Sequence, residues 1–294
     1  MEIPIKTLKS GFSLPVYGLG TWQMGGGWEA DTSQDEREIH AIRYALDQGI
    51  THLDTAESYG NGHSEELIAY AMQGFDRSKL VITSKVSGNH QGYNDILRSC
   101  EASLERLRTD YIDLYLLHRF PDVGTDIRDT MRAMDRLVTE GMVRSIGACN
   151  LTVDRFKAAQ AVTENKLVCN QLHYSLDCRE IIDKNVLEYC QQKDVLVTAW
   201  GPLSKGTLEE AALLHEMAKK YQKTPYQVAL NWLITQTNVI TIPKTSSPKH
   251  LDENLGALGW ELSQGDWQRL ADDFPGQTNR SSRVPLDYEA DVKP

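Results

Sequence analysis

Short apolar segments alternate with amphipathic helical patterns along most of this chain. The apolar segments have the length of buried strands, as in LVITSK at 80–85 and YIDLYLLH at 111–118. Between such segments, apolar residues recur three and four positions apart, for example Ile39, Ile42 and Leu46. In the first half, successive strands begin about thirty residues apart, which fits a strand, a crossover helix and two loops. The pattern predicts a series of β/α units.

Eight strands and eight helices can be counted when the glycine-containing segment VYGLGTW is taken as the first strand. No Pro/Gly/Ser-rich linker or low-complexity block divides the series, so we expect one domain over residues 1–294, although the length alone would allow two. The expected fold is α/β, a (β/α)8 TIM barrel. The stretch IPIKTLKSGFSLPVYG predicts a preceding β-hairpin around Ser10 and Gly11 that closes the bottom of the barrel.

Composition is that of a soluble globular protein. Of the 294 residues, 40% are hydrophobic, enough for a large core, and 24% are charged. No apolar run reaches the roughly 20 residues that span a bilayer, and MEIPIKTLKS contains no apolar signal segment. We therefore expect a cytoplasmic protein without a membrane partner. The net charge of −10, with Lys and Arg scattered along the chain, argues against a nucleic-acid partner.

The cysteines and histidines suggest neither a disulfide framework nor a metal site. The five cysteines are odd in number and form no C-x-x-C pair, which favours reduced thiols in a cytoplasm. The histidines are spread along the chain without an H-E-x-x-H motif. We predict no bound metal. The acidic pairs Glu65–Glu66 and Asp272–Asp273 are expected to be solvated helix faces.

Polar residues stand where predicted strands end, and these carry the candidate chemistry. Asp54, Lys85 and His118 end three consecutive strands, and Tyr59 follows Asp54 in a glycine-containing loop. Because the carboxyl ends of barrel strands meet at one mouth, we expect the four side chains to cluster there. Taken singly, each residue has an ordinary structural explanation, such as a loop cap or a satisfied core histidine. Their joint occurrence at successive strand ends favours a site.

The chemistry of these four residues is that of a general acid. A tyrosine hydroxyl has a pKa of about 10, and a neighbouring Lys85 ammonium would stabilise the phenolate and lower this pKa. Asp54 would keep the ammonium charged and in place, and His118 would donate a hydrogen bond to a substrate oxygen. The set predicts protonation of a carbonyl oxygen by Tyr59 while the carbonyl carbon is attacked.

These residues lie in motifs that resemble the aldo-keto reductase superfamily along nearly the whole chain. Seven motifs occur in order: LDTAESYGNG with Asp54 and Tyr59, ITSKV with Lys85, LLHRF with His118, SIGACN with Asn150, CNQLHY with Gln171, AWGPLSKG with Trp200, and IPKTSSPKHLDENL with Lys244, Glu253 and Asn254. The resemblance implies hydride transfer from NADPH, or from NADH, to a small-molecule aldehyde or ketone. The cofactor would lie extended across the mouth, so no glycine-rich fingerprint is required.

The resemblance also implies a set of cofactor-binding residues. Asn150 and Gln171 would bind the carboxamide, and Trp200 would stack on the nicotinamide. Lys244 and Thr245 would bind the adenosine 2′-phosphate. The complete implied set is Gly20, Thr21, Trp22, Asp54, Cys149, Asn150, Gln171, Trp200, Gly201, Leu203, Ser204, Gly206, Lys244, Thr245, Ser246, His250, Glu253 and Asn254, of which Leu203, Ser204 and Gly206 would line the pyrophosphate and Glu253 and Asn254 the adenine.

Two positions depart from the usual pattern of the superfamily. Cys149 stands where a serine is common, and a thiol is a weaker hydrogen-bond partner for the carboxamide site. His250 stands where an arginine often holds the phosphate, and a largely neutral imidazole cannot form the bidentate contact. Because the resemblance still places Lys244 and Thr245 at the 2′-phosphate, we expect NADP to be preferred to NAD. The weaker contact at position 250 leaves NAD possible.

Substrate recognition is less defined by the sequence. Trp22, Tyr59 and His118 are candidate substrate contacts, and Trp22 and Trp28 either form a wall of the mouth or serve in packing. Arg119, next to His118, would suit an anionic substrate. The tail from about residue 274 to residue 294 either folds over the mouth or is mobile. The expected protein is a monomer or weak oligomer, and a nicotinamide-binding regulatory subunit with little turnover is the alternative to an enzyme.

Overall fold

Strands and helices alternate in the computed structural model, which describes residues 2–121, 124–204, 208 and 211–286. The strands in this part of the chain are β1 (Ile5–Thr7), β2 (Ser13–Pro15), β3 (Leu19–Gly20), β4 (His52–Asp54), β5 (Val81–Val86), β6 (Ile112–Leu117), β7 (Val143–Cys149), β8 (Leu167–His173), β9 (Leu196–Trp200) and β10 (Val239–Thr241). The α-helices are α1 (Asp35–Asp47), α2 (His63–Ala71), α3 (Tyr93–Leu107), α4 (Ile127–Thr139), α5 (Val153–Gln160), α6 (Glu180–Asp183), α7 (Val186–Gln192), α8 (Ala212–Tyr221), α9 (Pro225–Ile234), α10 (Pro248–Leu255) and α11 (Gln264–Asp273).

Strands β3 to β10 form one parallel eight-stranded sheet in sequence order. The sheet closes on itself because the segment that enters β3 pairs with β10: Thr241 N donates to Val16 O at 3.0 Å, and Gly18 N donates to Thr241 O at 2.9 Å. Closure removes the unpaired edges that an open sheet would present to solvent. The predicted (β/α)8 barrel is confirmed.

The predicted hairpin is also present, at the amino ends of the barrel strands. β1 and β2 pair antiparallel, and Leu8 and Leu14 are buried against barrel-interior residues that include Leu196. Lys6 Nζ donates to the carbonyl oxygens of Ile234 and Val239, at 2.6 Å each, where the chain enters β10. The hairpin therefore closes the bottom of the barrel and leaves the carboxyl ends of the strands for a site.

The helices pack around the barrel through the apolar faces that the sequence predicts. In α4, Met131, Met134 and Leu137 are all buried, at the spacing of one helical face. The helices outnumber the eight predicted because the connections after β8 and β9 each hold two, and α11 follows α10. The separation of α9 from α8 has a local cause, since Thr224 caps α9 in a capping box. In the part of the chain described, none of the helices is long and apolar enough to cross a membrane.

One acidic pair was assigned wrongly from the sequence. Glu65 is fully buried rather than solvated: Arg106 Nε donates to its Oε2 at 2.7 Å, and Ser84 Oγ donates to its Oε1 at 2.6 Å. The helical position alone does not reveal this partner, because Arg106 comes from α3. Asp272 and Asp273 are exposed, as predicted.

Candidate active site

A tight turn after β4 presents Tyr59 at the carboxyl end of the barrel. Gly60 lies within this turn with a left-handed φ of 55°, and a Cβ there would collide with the Gly25 carbonyl oxygen. The Gly60 N–H donates to Gly27 O at 2.8 Å. The glycine-rich loop after β3 therefore supports the turn that carries Tyr59.

Lys85 joins Tyr59 to Asp54 in a buried cluster. Lys85 Nζ donates to Asp54 Oδ1 at 2.6 Å, to Thr55 O at 2.7 Å and to Tyr59 Oη at 3.3 Å. The Lys85 side chain has no solvent exposure, so its three ammonium donors are met by protein oxygens. Gln171 Nε2 donates to the other carboxylate oxygen, Asp54 Oδ2, at 2.6 Å. A buried charge is tolerated here because it is paired and fully hydrogen-bonded.

The cluster keeps both Tyr59 and Lys85 protonated. Burial raises the pKa of Tyr59 to about 12, although the Lys85 ammonium opposes this shift. The sequence predicts only the lowering effect of Lys85, but loss of hydration of the phenolate is the larger effect. Burial by itself disfavours the Lys85 ammonium, yet Asp54 and Tyr59 together hold the pKa of Lys85 above its ordinary value.

His118 follows β6 directly and faces the same mouth. Its ring centre lies 5.8 Å from that of Tyr59, and Ser58 Oγ lies 3.4 Å from His118 Nδ1. Burial, assisted by the positive charges of Lys85 and Arg119, lowers the pKa of His118 to about 3. The imidazole is therefore neutral near pH 7, with one ring nitrogen protonated.

A cavity of about 440 Å³ opens above this cluster. Its wall comes from the carboxyl ends of the strands, the loops that follow them and the C-terminal tail. The lining residues are Gly20, Trp22, Gln23, Trp28, Asp54, Tyr59, His118, Asn150, Gln171, Trp200, Gly201, Pro202, Leu203, Ser204, Ile242, Pro243, Lys244, Arg283 and Val284.

Aromatic rings form one side of the cavity. The centre of the Trp22 ring lies 4.9 Å from that of Tyr59 and 4.9 Å from that of Trp28, with edge-to-face geometry in both pairs. Trp28 is 69% exposed, which does not suit a core packing role. The geometry thus favours the first of the two roles considered for Trp22 and Trp28, a wall of the mouth.

The other side offers a flat aromatic ring beside two amide groups. Trp200 is half-buried at the end of β9, and its Nε1 donates to Asn150 Oδ1 at 3.1 Å. Gln171 uses its Nε2 for Asp54. Among the described residues, Asn150 Nδ2 and Gln171 Oε1 have no hydrogen-bond partner, so one donor and one acceptor stay available. A carboxamide requires that complement.

The chain from Gly201 to Ser204 lies along the cavity next to Trp200. Gly201 has a φ of 64°, and a Cβ there would press against the His173 ring at 3.0 Å. The Ser204 hydroxyl donates to the Asp177 carboxylate in a short hydrogen bond. Leu203 lines the cavity with them, whereas Gly206 falls outside the described residues.

The far end of the cavity reaches an exposed cation, Lys244, before α10. Thr245, Ser246, His250, Glu253 and Asn254 lie beyond Lys244, around α10 and the loop that enters it, and they do not line the described cavity. Ser247 caps the helix by accepting from the His250 N–H at 3.5 Å. His250 itself is exposed, so its side chain is accessible to a ligand at this end.

Comparison with known proteins agrees with this geometry. Residues 17–272 match the model of the Aldo/keto reductase family. The chain belongs to the aldo-keto reductase family. It is 34% identical over 276 residues to the methylglyoxal reductase YeaE of Escherichia coli (strain K12), covering 92% of this chain and 94% of the relative. It is 35% identical over 266 residues to the glyoxal reductase of Bacillus subtilis (strain 168), covering 90% of each.

A solved structure gives the same result for the fold of this aldo-keto reductase. The aldo-keto reductase from Klebsiella pneumoniae in complex with NADPH aligns with a TM-score of 0.85 at 33% identity, covering 97% of this chain and 99% of that one. The resemblance inferred from the seven motifs is confirmed.

Three further predicted ligand contacts of this aldo-keto reductase also lie away from the described cavity. Thr21 is buried behind Asp54, with its Oγ1 donating to Asp54 O at 3.0 Å. Cys149 is also buried and does not line the cavity. Arg119 is exposed and packs along Gly88, with Nη2 donating to Asn89 at 3.3 Å. In the described structure, none of the three reaches the cavity surface.

The tertiary structure brings to the site residues that the sequence does not predict there. Arg283 and Val284, from the tail, line the cavity. The Glu180 carboxylate accepts from Ser281 N at 2.8 Å and from Leu286 N at 2.9 Å, which fixes this part of the tail. The tail therefore reaches the mouth at least to residue 286. No periodic pattern in the tail indicates these contacts.

Proposed function

We propose that this aldo-keto reductase reduces small aldehydes and ketones to alcohols, with NADPH as the preferred cofactor and Tyr59 as the proton donor. When bound, the reduced nicotinamide supplies the hydride. The observation that carries the proposal is the hydrogen-bonded series Tyr59, Lys85 and Asp54 beneath a cavity that ends at Lys244. Small dicarbonyl compounds are the first substrates to test, because two relatives are named as methylglyoxal and glyoxal reductases.

Tyr59 is suited to give a proton to a carbonyl oxygen as negative charge develops there. Its raised pKa keeps the hydroxyl protonated before the reaction. The Lys85 ammonium, 3.3 Å from Tyr59 Oη, stabilises the phenolate that the transfer leaves behind. Asp54 balances the ammonium and prevents an uncompensated buried charge.

His118 would orient the substrate oxygen as a neutral hydrogen-bond donor. We assign the tautomer in which the Ser58 hydroxyl donates to His118 Nδ1, 3.4 Å away, and the imidazole proton lies on Nε2. Nε2–H then serves as the donor to the carbonyl oxygen. A neutral donor polarises the carbonyl without adding another cation next to Lys85.

The residues present fit a nicotinamide dinucleotide. Trp200 offers a flat ring, while Asn150 Nδ2 and Gln171 Oε1 offer a donor and an acceptor for a carboxamide. Gly201, Leu203 and Ser204 continue along the cavity toward Lys244. We assign Lys244, Thr245, Ser246 and His250 to the adenosine phosphate, with Glu253 and Asn254 at the adenine. Residues 1–294 are proposed to form a single domain, located in the cytoplasm.

The phosphate assignment predicts that His250→Arg strengthens discrimination in favour of NADPH. An exposed guanidinium can hold a phosphate through two parallel hydrogen bonds, which the geometry of an imidazole does not allow. We expect the ratio of the NADH to the NADPH dissociation constant to rise about tenfold. Titration calorimetry with each cofactor measures this ratio. Gln268→Arg, which adds the same charge on the exposed face of α11, is the control, and an unchanged ratio in His250→Arg would remove position 250 from the phosphate site.

The assigned protonation states predict that turnover varies little with pH near neutrality. The pKa of Tyr59 is raised to about 12, so Tyr59 loses its proton only at strongly alkaline pH. The pKa of His118 is lowered to about 3, so the imidazole gains its second proton only at strongly acidic pH. We expect kcat/KM for the carbonyl, at saturating NADPH, to be nearly constant from about pH 6 to pH 9. A limb with an apparent pKa near 7, at pH values where circular dichroism shows folded protein, would contradict one of the two assignments.

The test of the proposed function is the initial rate of NADPH oxidation, and separately of NADH oxidation, with methylglyoxal and with a reactive aromatic aldehyde. Carbonyl-dependent oxidation with formation of the alcohol is the expected result. Cofactor binding by calorimetry without turnover across a wide aldehyde panel would instead support the nicotinamide-binding regulatory subunit. Absence of binding and of turnover would contradict both.

A further inference from the structure

His173 contacts the face of the Trp200 indole that points away from the cavity. It is the last residue of β8, and it pairs in register with Trp200 at the end of β9. The two rings are stacked, with centres 4.2 Å apart and planes 8° from parallel. Trp200 lines the cavity, so its indole lies between the cavity and the buried imidazole.

The position of Trp200 is fixed in two directions. The Nε1–H bond to Asn150 Oδ1 limits rotation of the indole in its own plane. The His173 ring limits tilting out of that plane, since close-packed rings leave no gap behind the indole. Next to Trp200, the backbone of Gly201 passes so close to His173 that a Cβ would stand 3.0 Å from its Cδ2.

His173 is itself held by the C-terminal tail. Its Nδ1 lies 2.7 Å from Ser281 Oγ, and Ser281 is buried. The Glu180 carboxylate accepts from the backbone N–H groups of Ser281 and Leu286, so it holds the tail at both of these residues. Burial together with the nearby Arg283 lowers the pKa of His173 to about 4, so the ring is neutral in the stack at pH 7.

We propose that His173 is a positioning residue that holds Trp200 flat for the nicotinamide, and that Ser281 couples this support to the tail. The inference rests on the proposed function, because it takes the open face of Trp200 as the nicotinamide site. It assigns the tail a role in cofactor binding in addition to lining the mouth.

Binding of two ligands tests this proposal without measuring turnover. His173→Ala should raise the dissociation constant for NADP about tenfold and leave that for 2′-phospho-ADP-ribose, which lacks the nicotinamide, nearly unchanged. His173→Phe, which restores a stacking ring but not the bond to Ser281, should recover most of the loss. Ser281→Ala should weaken NADP binding less than His173→Ala does. His215→Ala, at an exposed position of α8, is the control.

The outcomes separate this inference from the proposed function. Equal weakening of both ligands in His173→Ala would mean a general structural role and would overturn the proposal, as would unchanged NADP affinity. If His173→Ala does not fold, failure of the folded His173→Phe or Ser281→Ala variants to distinguish the two ligands would overturn it equally. If the unmodified protein binds NADP no more tightly than 2′-phospho-ADP-ribose and shows no turnover, the result contradicts the proposed function, and the role of His173 that rests on it is overturned as well.

Discussion

Tyr59→Phe is expected to lower kcat/KM for carbonyl reduction by about a thousandfold while leaving the dissociation constant for NADPH unchanged. The substitution removes the hydroxyl that Lys85 Nζ contacts at 3.3 Å and retains the ring beside Trp22. General acid catalysis contributes roughly 10²- to 10⁴-fold, and all of it is lost when the proton donor is absent. Stopped-flow rates with saturating NADPH, combined with fluorescence titration of the cofactor, measure both quantities.

Tyr115 provides a matched control for this experiment. It is fully buried in β6, and in the described part of the chain its hydroxyl has no hydrogen-bond partner. Tyr115→Phe should therefore preserve both turnover and stability, since it removes a buried polar atom that makes no bond. Full activity in Tyr59→Phe would show that another group donates the proton. Equal loss in both variants would show that the effect comes from altered packing.

Lys85→Met is expected to lower both stability and activity. The substitution leaves the Asp54 carboxylate buried without its cation, and breaking a buried ion pair from one side typically costs about 3–5 kcal/mol. It also removes the charge that stabilises the Tyr59 phenolate, so we expect kcat/KM to fall at least about a hundredfold. Urea unfolding gives the free energy of unfolding, and initial rates give the activity.

A double variant separates the two effects of Lys85. In Asp54→Asn/Lys85→Met, no buried charge is left unpaired, and the side-chain amide introduced at position 54 can still accept from Gln171. We expect the double variant to regain most of the lost stability and to stay nearly inactive. If stability and activity returned together, Lys85 would act through folding alone. If neither returned, the ion pair would not account for the stability of this region.

Much of the barrel and of the candidate catalytic cluster is predictable from local sequence. Lys85, His118 and Trp200 each stand at the end of an apolar segment, and β5, β6 and β9 end at or within one residue of those positions. Parallel strands in sequence order then place such residues at one mouth. The direction of Arg119 is not predictable in this way, since its side chain extends along Gly88 instead of into the described cavity. Beyond the end of a strand, the direction of a side chain is set by the loop backbone and no longer by the alternation of the strand.

The electrostatics of the site could not be predicted in the same way. From the sequence, Lys85 is expected to lower the pKa of Tyr59, whereas burial has the larger effect and raises this pKa. Gln171 was assigned only to the cofactor, yet its Nε2 also binds Asp54, 117 positions away. Both results depend on how much water the folded chain excludes and on which side chains meet, and neither quantity is a property of a local segment.

The sequence by itself determined the barrel, its hairpin and the presence of Asp54, Tyr59, Lys85 and His118 at one end, because the alternation of strands and helices is a local, repeated pattern. Only the tertiary structure decided that Glu65 is buried with Arg106, that the tail reaches the cavity with Arg283, and that His173 supports Trp200 while bonded to Ser281, 108 positions later. These contacts join segments distant in sequence. Their partners are set by packing and by the need of buried polar groups for hydrogen bonds, which become defined when the chain is folded.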